Sequence, residues 1–497
     1  MDSELMAISK SDVFERARMS GAKLTDDTRD VERGDIFVLR RGATEFSQDT
    51  ALRLCSMAEE RGACAIISDG CYSLPLDIPV LRLTRPHERL NDLAEAFWGR
   101  PSDEMKIIAV TGTNGKTTTT YLLESIAREM GLRVGVLGTI SHRFPGYEEP
   151  SLNTTPGTLK LRRLMRMMAD AHCDIVAMEV SSHGIMQGRV DGVSFDAAIW
   201  NNLGTDHLDY HHTREAYGLA KRRLFDTYLV RSFSEGKHPV AVVNGDDVEV
   251  MAHIRAAHPS VWGGAMTVFS STGHQAQVVI AGHHWCGDRW KFDVCIEGRH
   301  YDGELPLVGE YNLTNATGAL AALVSLGYSP QRVVEALSHV SQIPGRMECV
   351  HHNPLVLVDF AHTPEALKNA LLAVRQSLPG GGRVIVVFGA GGDRDPSKRP
   401  MMGAFASEFA DEVIVTSDNP RTEDPQAIVN QIVKGMGRAP LYVTLDRREA
   451  IARALRYAEA EDIVLIAGKG HEDYQIVGTE KQSFDDREAV REFYAHA

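Results

Sequence analysis

Between residues 111 and 118 the chain reads Thr-Gly-Thr-Asn-Gly-Lys-Thr-Thr, a run whose residue types can cradle a polyphosphate. Gly112 and Gly115 let the backbone turn its N–H groups toward an anion. Lys116 can reach the outer phosphates and the Thr117 hydroxyl can ligate Mg²⁺, with Thr113, Asn114 and Thr118 completing the loop. The apolar stretch KIIAV (106–110) precedes the run, and a helical stretch from about Thr117 to Met130 follows it. A helix N-terminus therefore adds positive potential at the same place. The strict pattern GxxxxGK[ST] would need glycine at 110, where this chain has Val110, so an ordinary strand–turn–helix junction is the competing reading.

Two more groups sit where the same sheet edge would place them. Glu179 lies at the end of DIVAMEV (174–180), and His207 follows DAAIWNN (196–202). Ligands of doubly wound sheets gather at the carboxyl ends of the strands, and carboxylate with hydroxyl oxygen suits hard Mg²⁺. Taken alone, His207 also reads as a hydrogen-bonded loop histidine, and Lys221, in GLAKRRLF (218–225), as part of a solvated basic face. Further along, the loops 359–364, 389–395, 417–421 and 468–472 each follow an apolar strand candidate. If those strands are parallel, the loops share one edge. Thr363 followed by Pro364 reads as a helix cap. Asp418-Asn419-Pro420-Arg421 reads as a turn by composition, yet an arginine there can grip a carboxylate with a planar, two-pronged contact.

The elements that must position these groups fall into three blocks of an α/β protein. Residues 1–101 alternate short β-rich runs such as DIFVL (35–39) and ACAIIS (63–68) with helical stretches such as Asp49 to Arg61, and WGRPSDE (98–104) reads as a linker. Residues 102–341 carry the phosphate loop and the strands RVGVLG (133–138), DIVAMEV, DAAIWNN and PVAVVN (239–244). Their continuous apolar character predicts a parallel, phosphate-loop sheet covered on both faces. Residues 262–308 look more β-rich, as an inserted small sheet would. Residues 342–497 contain PLVLVDF, RVIVVFGA, DEVIVTS and DIVLIAG, each followed by a polar or glycine-rich loop, and predict a second doubly wound, Rossmann-like domain. A length of 497 residues fits three domains of about 150. The net charge of −14 argues against nonspecific nucleic-acid binding. Seven cysteines without a CxxC pair predict free thiols in a reducing cytoplasm. No signal peptide is visible at the N-terminus, and no run of 18 apolar residues predicts a membrane helix.

The run TGTNGKTT resembles the phosphate loop of Mur ligases and folylpolyglutamate synthases. A series of further runs resembles, in order, the diaminopimelate-adding branch of the Mur ligase family: NTTPGT (153–158), MEVSSHG (178–184), DHLDYH (206–211), VVNGDD (242–247), YNLTNATGAL (311–320), GRME (345–348), AHTPEAL (361–367), FGAGGDRD (388–395), DNPR (418–421) and AGKGHEDY (467–474). The resemblance spans about residues 90–490. It implies a cytoplasmic, monomeric ligase that uses ATP and Mg²⁺ to join meso-diaminopimelate to UDP-MurNAc-L-Ala-D-Glu through an acyl phosphate. It implies nucleotide contacts at Asn312, Arg346 and Asp359 beside the phosphate loop, and catalysis by Lys116, Glu179, His207 and Lys221. Lys221 would be carbamylated and would join Thr117, Glu179 and His207 around the metal. Thr28, Asn153, Thr154, Thr155, Ser181, Gln187 and Arg189 match positions that face the UDP-MurNAc-dipeptide. Arg394, Asp418, Asn419, Pro420, Arg421, Gly468 and Glu472 match those around the amino acid, with Arg421 on the distal carboxylate and Glu472 suited to the distal ammonium.

The chain departs from the family pattern in its first block and at one position of its third. Asp27-Thr28-Arg29 stands where DSR is usual, the loop from Arg41 to Phe46 lacks the usual DG, and Phe360 replaces a common tyrosine. Those departures keep open a paralogue that joins a different acyl and amine pair. A nucleotide-binding protein without turnover is the alternative of another class, and intact Lys116, Glu179, His207 and Lys221 argue against it.

Overall fold

The computed structural model describes residues 3–40, 46–257, 265–273, 275–378 and 380–496, so most of the altered loop, Arg41 to Glu45, lies outside the described residues. In the first block four short parallel strands, Leu24–Thr25, Ile36–Val38, Ala65–Ser68 and Val80–Arg82, lie side by side in chain order. The helix Gln48–Glu60 is capped by the Ser47 hydroxyl, which accepts the Thr50 N–H at 3.2 Å. Its neighbours bury Phe14, Ile36, Leu93 and Phe97 in a cluster that includes Leu159 of the helix Thr158–Asp170. The first block is thereby seated on the second by shared apolar contact. The expected linker is a fixed joint: Arg100 pairs with Glu235 at 2.7 Å, and the Lys237 ammonium donates to the Ser102 carbonyl at 2.7 Å.

An 11-stranded sheet organises the second block. The strand Lys106–Thr111 runs parallel between Ile175–Glu179 and Ala197–Trp200, with Val134–Leu137 and Val240–Asn244 next outward. These strands are apolar along their middles because separate cores cover both faces. The β-rich stretch expected as an inserted small sheet instead continues the central one. Ala265–Ser270 pairs in parallel with Val240–Asn244, and the antiparallel meander Val278–Trp285, Trp290–Ile296, Arg299–Leu305 joins it through Phe269↔Val278 and Ser270↔Val279. An open edge strand is thus covered rather than left exposed.

The third sheet runs Glu348–His352, Leu355–Asp359, Ile463–Ala467, Val384–Phe388, Glu412–Val415, Tyr442–Val443, parallel except for its first strand. Since Leu355–Asp359, Val384–Phe388, Glu412–Val415 and Ile463–Ala467 point the same way, the four loops expected to share an edge do so. Thr363 accepts the Ala366 N–H and Pro364 opens the helix Pro364–Ser377, as the cap requires. Among the described residues no helix is long and apolar enough to cross a membrane.

Candidate functional site

The phosphate loop leaves its strand at Thr111 and enters the helix Lys116–Glu129 at Lys116. Gly115 holds φ +82°, and a Cβ there would meet the Asn315 side-chain oxygen. The loop is braced from the neighbouring strand: Asn114 N–H donates to Asn202 Oδ1 at 2.9 Å, and the Thr113 hydroxyl accepts the Gly204 N–H at 2.8 Å. Lys116 folds over the loop, donating to the carbonyls of Gly112 at 2.8 Å and Thr113 at 2.9 Å. Burial lowers its pKa, against the opposing pull of Glu179 and Asp206. Thr118 is buried in the first helical turn.

Glu179 ends its strand fully buried. Thr139 donates to it through both its N–H and its hydroxyl, each at 2.8 Å, and Thr117 through its hydroxyl at 3.2 Å. Among the described residues no lysine, arginine or histidine pairs with it. A buried carboxylate facing a threonine hydroxyl, with Lys116 near enough to act on it but not paired with it, suits a divalent ion. Lys221 is not part of a solvated face. It is 1% exposed, its amine donates to the Gly112 carbonyl at 2.9 Å, and burial, with Lys116 beside it, drives its pKa well below the ordinary lysine value. His207 takes a left-handed backbone, φ +54°, and its ring meets His183 edge-on at 4.7 Å. Burial lowers its pKa, and Asp206, His183, Lys116 and Lys221 are all near enough to act on it. The phosphate loop, Glu179, Lys221 and His207 therefore form one neighbourhood.

The donor-facing candidates lie alongside. Thr154 meets Thr139 at 3.1 Å; Thr155 donates to the Glu179 carbonyl at 3.0 Å and lies 3.1 Å from the Ser181 hydroxyl. Arg189 spans Gln187 and the Thr155 carbonyl, while Asn153 accepts the Ser151 hydroxyl at 2.7 Å. Asp26 and Arg40 of the first block act electrostatically on Arg189, placing that block at the same end of the site. Thr28 is buried in the turn Thr28–Asp30.

On the far side of the phosphate loop, the Arg346 guanidinium donates to the Thr117 hydroxyl at 3.3 Å and lies over the Phe360 ring at 4.6 Å. Asp359 is buried, accepts the Met347 N–H at 2.8 Å, and has its pKa raised by burial while Arg346 opposes the shift. Asn312 is buried and holds the Asn315 amide at 3.0 Å. The third-domain loops face this wall: Asp206 acts on both His362 and Lys398 of that domain.

At the shared edge of the third sheet, Arg421 is pinned by its own backbone. It holds φ +52°, its N–H donates to the Ile476 carbonyl at 3.1 Å, and its carbonyl accepts the Gly478 N–H at 2.8 Å. Its guanidinium donates to the Gly392 carbonyl at 2.7 Å. Asp418, Asn419 and Pro420 are buried, and Asn419 donates to Glu472 at 2.9 Å. Gly468, φ +120°, brings the chain so close that a Cβ would strike the Asp418 carboxylate. Arg394 is exposed on the next loop and donates to the Asp393 carbonyl at 3.0 Å. Sequence reasoning missed Thr139, the principal clamp on Glu179, although it follows the predicted strand RVGVLG. It also missed Lys398, which gave no signal, and Lys469, which sits inside a noted motif.

A phosphate loop at the carboxyl edge of one mostly parallel sheet faces the loop edge of a second, an arrangement suited to joining a nucleotide-activated group to another substrate. The family description "Mur ligase middle domain" matches residues 110–323, and "Mur ligase, glutamate ligase domain" matches 345–470. The chain is 41% identical over 471 residues to the UDP-N-acetylmuramoyl-L-alanyl-D-glutamate–2,6-diaminopimelate ligase of Geobacillus kaustophilus (strain HTA426), covering 94% of this chain and 93% of that one. It is 39% identical to the protein of the same name from Geobacter metallireducens (strain ATCC 53774 / DSM 7210 / GS-15), covering 93% and 92%. A solved structure of a ligase with that name superposes with a TM-score of 0.65 at 32% identity, covering 96% of this chain and 95% of the other. The MurF ligase of Thermotoga maritima, solved with ADP, shares the fold at 17% identity, with a TM-score of 0.66 and 98% of each chain covered. The chain belongs to the Mur ligase family.

Proposed function

We propose that this protein adds meso-diaminopimelate to the D-glutamate of UDP-MurNAc-L-Ala-D-Glu, with hydrolysis of ATP to ADP, in the synthesis of a peptidoglycan precursor. The chain is an ATP-dependent amide-bond ligase. The observation that carries the choice of acceptor is the third-domain edge, where Arg421 offers a carboxylate grip and Glu472 an ammonium grip, connected through Asn419 and the Ile476 backbone.

In this reading the three blocks, 1–101, 102–341 and 342–497, hold the uridine end of the donor, the nucleotide and the acceptor. Thr117, Glu179, His207 and a carbamylated Lys221 would hold Mg²⁺, which supplies charge neutralisation at the phosphates. Lys221 suits that modification because a neutral, buried amine is the form that reacts with CO₂. The phosphate-loop N–H groups and Lys116 bind and orient ATP so that its terminal phosphoryl group meets the donor carboxylate. Thr154, Thr155, Ser181 and Arg189 hold that carboxylate's peptide beside Glu179. Arg346 and Asp359 hold the nucleoside side and join the two sheets. The third-domain loops bring the diaminopimelate amine to the acyl phosphate and exclude water. The protein works as a monomer in the cytoplasm.

The test is ADP release by the purified protein. Release that requires ATP, UDP-MurNAc-L-Ala-D-Glu and meso-diaminopimelate together supports the reading. Absence of release with all three present rejects it.

A further inference from the structure

Lys469 follows Gly468 at the end of the strand Ile463–Ala467, and its side chain is completely buried. A buried ammonium needs partners that repay its lost hydration. Its Nζ lies 3.0 Å from Glu472 Oε2 and 3.3 Å from Asn419 Oδ1. The Asn419 amide nitrogen donates to the same Glu472 oxygen at 2.9 Å, and the amide oxygen also accepts the Ile476 N–H at 2.9 Å. Two donors on its oxygen side and a carboxylate on its nitrogen side leave that amide one orientation. The Ile476 carbonyl in turn accepts the Arg421 N–H. A continuous chain of contacts therefore runs from Lys469 to both proposed acceptor grips.

We infer that Lys469 is a positioning and specificity-determining residue of the acceptor site: it fixes the Glu472 carboxylate in one rotamer and, through Asn419, sets its separation from Arg421. This rests on the acceptor assignment made above. Charge gives a second consequence. The Lys469 ammonium balances Glu472, so Arg421 leaves the edge formed by these three side chains net positive. An acceptor end that carries a carboxylate beside its ammonium is favoured there over one that carries an ammonium alone. Removing Lys469 takes these three side chains from net positive to neutral and weakens discrimination against lysine.

The experiment compares wild type, Lys469→Met, Glu472→Gln and the double variant, with KM for each substrate and kcat/KM for diaminopimelate and for lysine. Lys469→Met raises KM for diaminopimelate about tenfold. It lowers the diaminopimelate-to-lysine ratio and leaves KM for ATP and for the donor unchanged. The double variant is no worse than the poorer single one, because Lys469 acts through Glu472. Unchanged KM for diaminopimelate, or equal loss toward every substrate, overturns the inference, as do additive effects. If Lys469→Met does not fold, Lys469→Gln, which keeps a donor in the buried site, carries the same comparison. Wild type separates the two levels: no diaminopimelate-dependent turnover there sinks the acceptor assignment itself, whereas normal wild-type turnover with an unaffected variant sinks only the role of Lys469.

Discussion

The two faces of the site are built differently. The central face is compact in sequence and set by backbone: a glycine-shaped loop, a helix N-terminus, and two lysines that both donate to the Gly112 carbonyl. The third-domain face draws on loops scattered from residue 359 to 472 and is set by side chains, with Asn419, Lys469 and Glu472 tying one loop to another. The difference teaches where each can vary. Phosphate chemistry needs one fixed geometry and uses a contiguous motif; the proposed acceptor face is set by single side chains at a periphery, where substitution can retune it.

The largest effect is expected on the central face. Lys116→Ala lowers kcat for ADP release by about 10³-fold or more, since it removes the loop's ammonium from the shifting phosphate charge. Circular dichroism of the variant should match wild type; a variant within tenfold of wild-type turnover would break the contrast. On the other face, Arg421→Ala spares ATP binding but lowers the preference for diaminopimelate over lysine. The unpaired-charge cost of roughly 2–5 kcal/mol corresponds to about 30- to several-thousand-fold in the ratio of kcat/KM. Full retention of preference would remove Arg421 from the acceptor site.

The next effect is on stability. Arg447 and Asp486 form a pair with both side chains fully buried, bonded at 2.7 Å through two nitrogens, and Arg447 also donates to the carbonyls of Ser417 and Ala467 just before the DNPR and GKGHE loops. Asp486→Asn leaves the guanidinium without its counter-charge and destabilises the protein by about 3–5 kcal/mol, measurable by urea unfolding. A smaller effect concerns pH. Burial holds His142, on the strand Ser141–Phe144 of the central sheet, at a pKa of about 4 and His471, on the third-domain face, at about 3, against 6.5 ordinarily. The unfolded chain therefore takes up protons that the native one refuses. Their contribution is complete above about pH 6.5 and is lost as pH falls toward 4 and 3. The unfolding midpoint should drop between pH 7 and pH 5, and the drop should shrink in His142→Asn.

Much of this organisation was legible in the sequence because contiguous signals have local causes. The strands and the phosphate loop announce themselves through apolar runs broken by glycine, and the cap at Thr363 through the proline after it. The carboxyl-edge placement of Glu179 and of the four third-domain loops followed from parallel order. What escaped depends on pairing between distant segments. Residues 265–305 carry the one-face alternation of ordinary strands, and nothing local says that Ala265–Ser270 will extend the central sheet. Lys221 lies among arginines, so its burial against the Gly112 carbonyl is a tertiary fact. Lys469 and Thr139 act on Asn419 and Glu179, 50 and 40 positions away in the chain, and only the folded arrangement shows that they do.

In the proposed reaction these two faces serve one amide bond. Its most direct measurement is the mass of the nucleotide product after incubation with ATP, UDP-MurNAc-L-Ala-D-Glu and equal concentrations of meso-diaminopimelate and lysine. The product should be heavier than the donor by one diaminopimelate residue, with ADP formed in equal amount. A lysine adduct in its place, or ADP without any new amide, would contradict it.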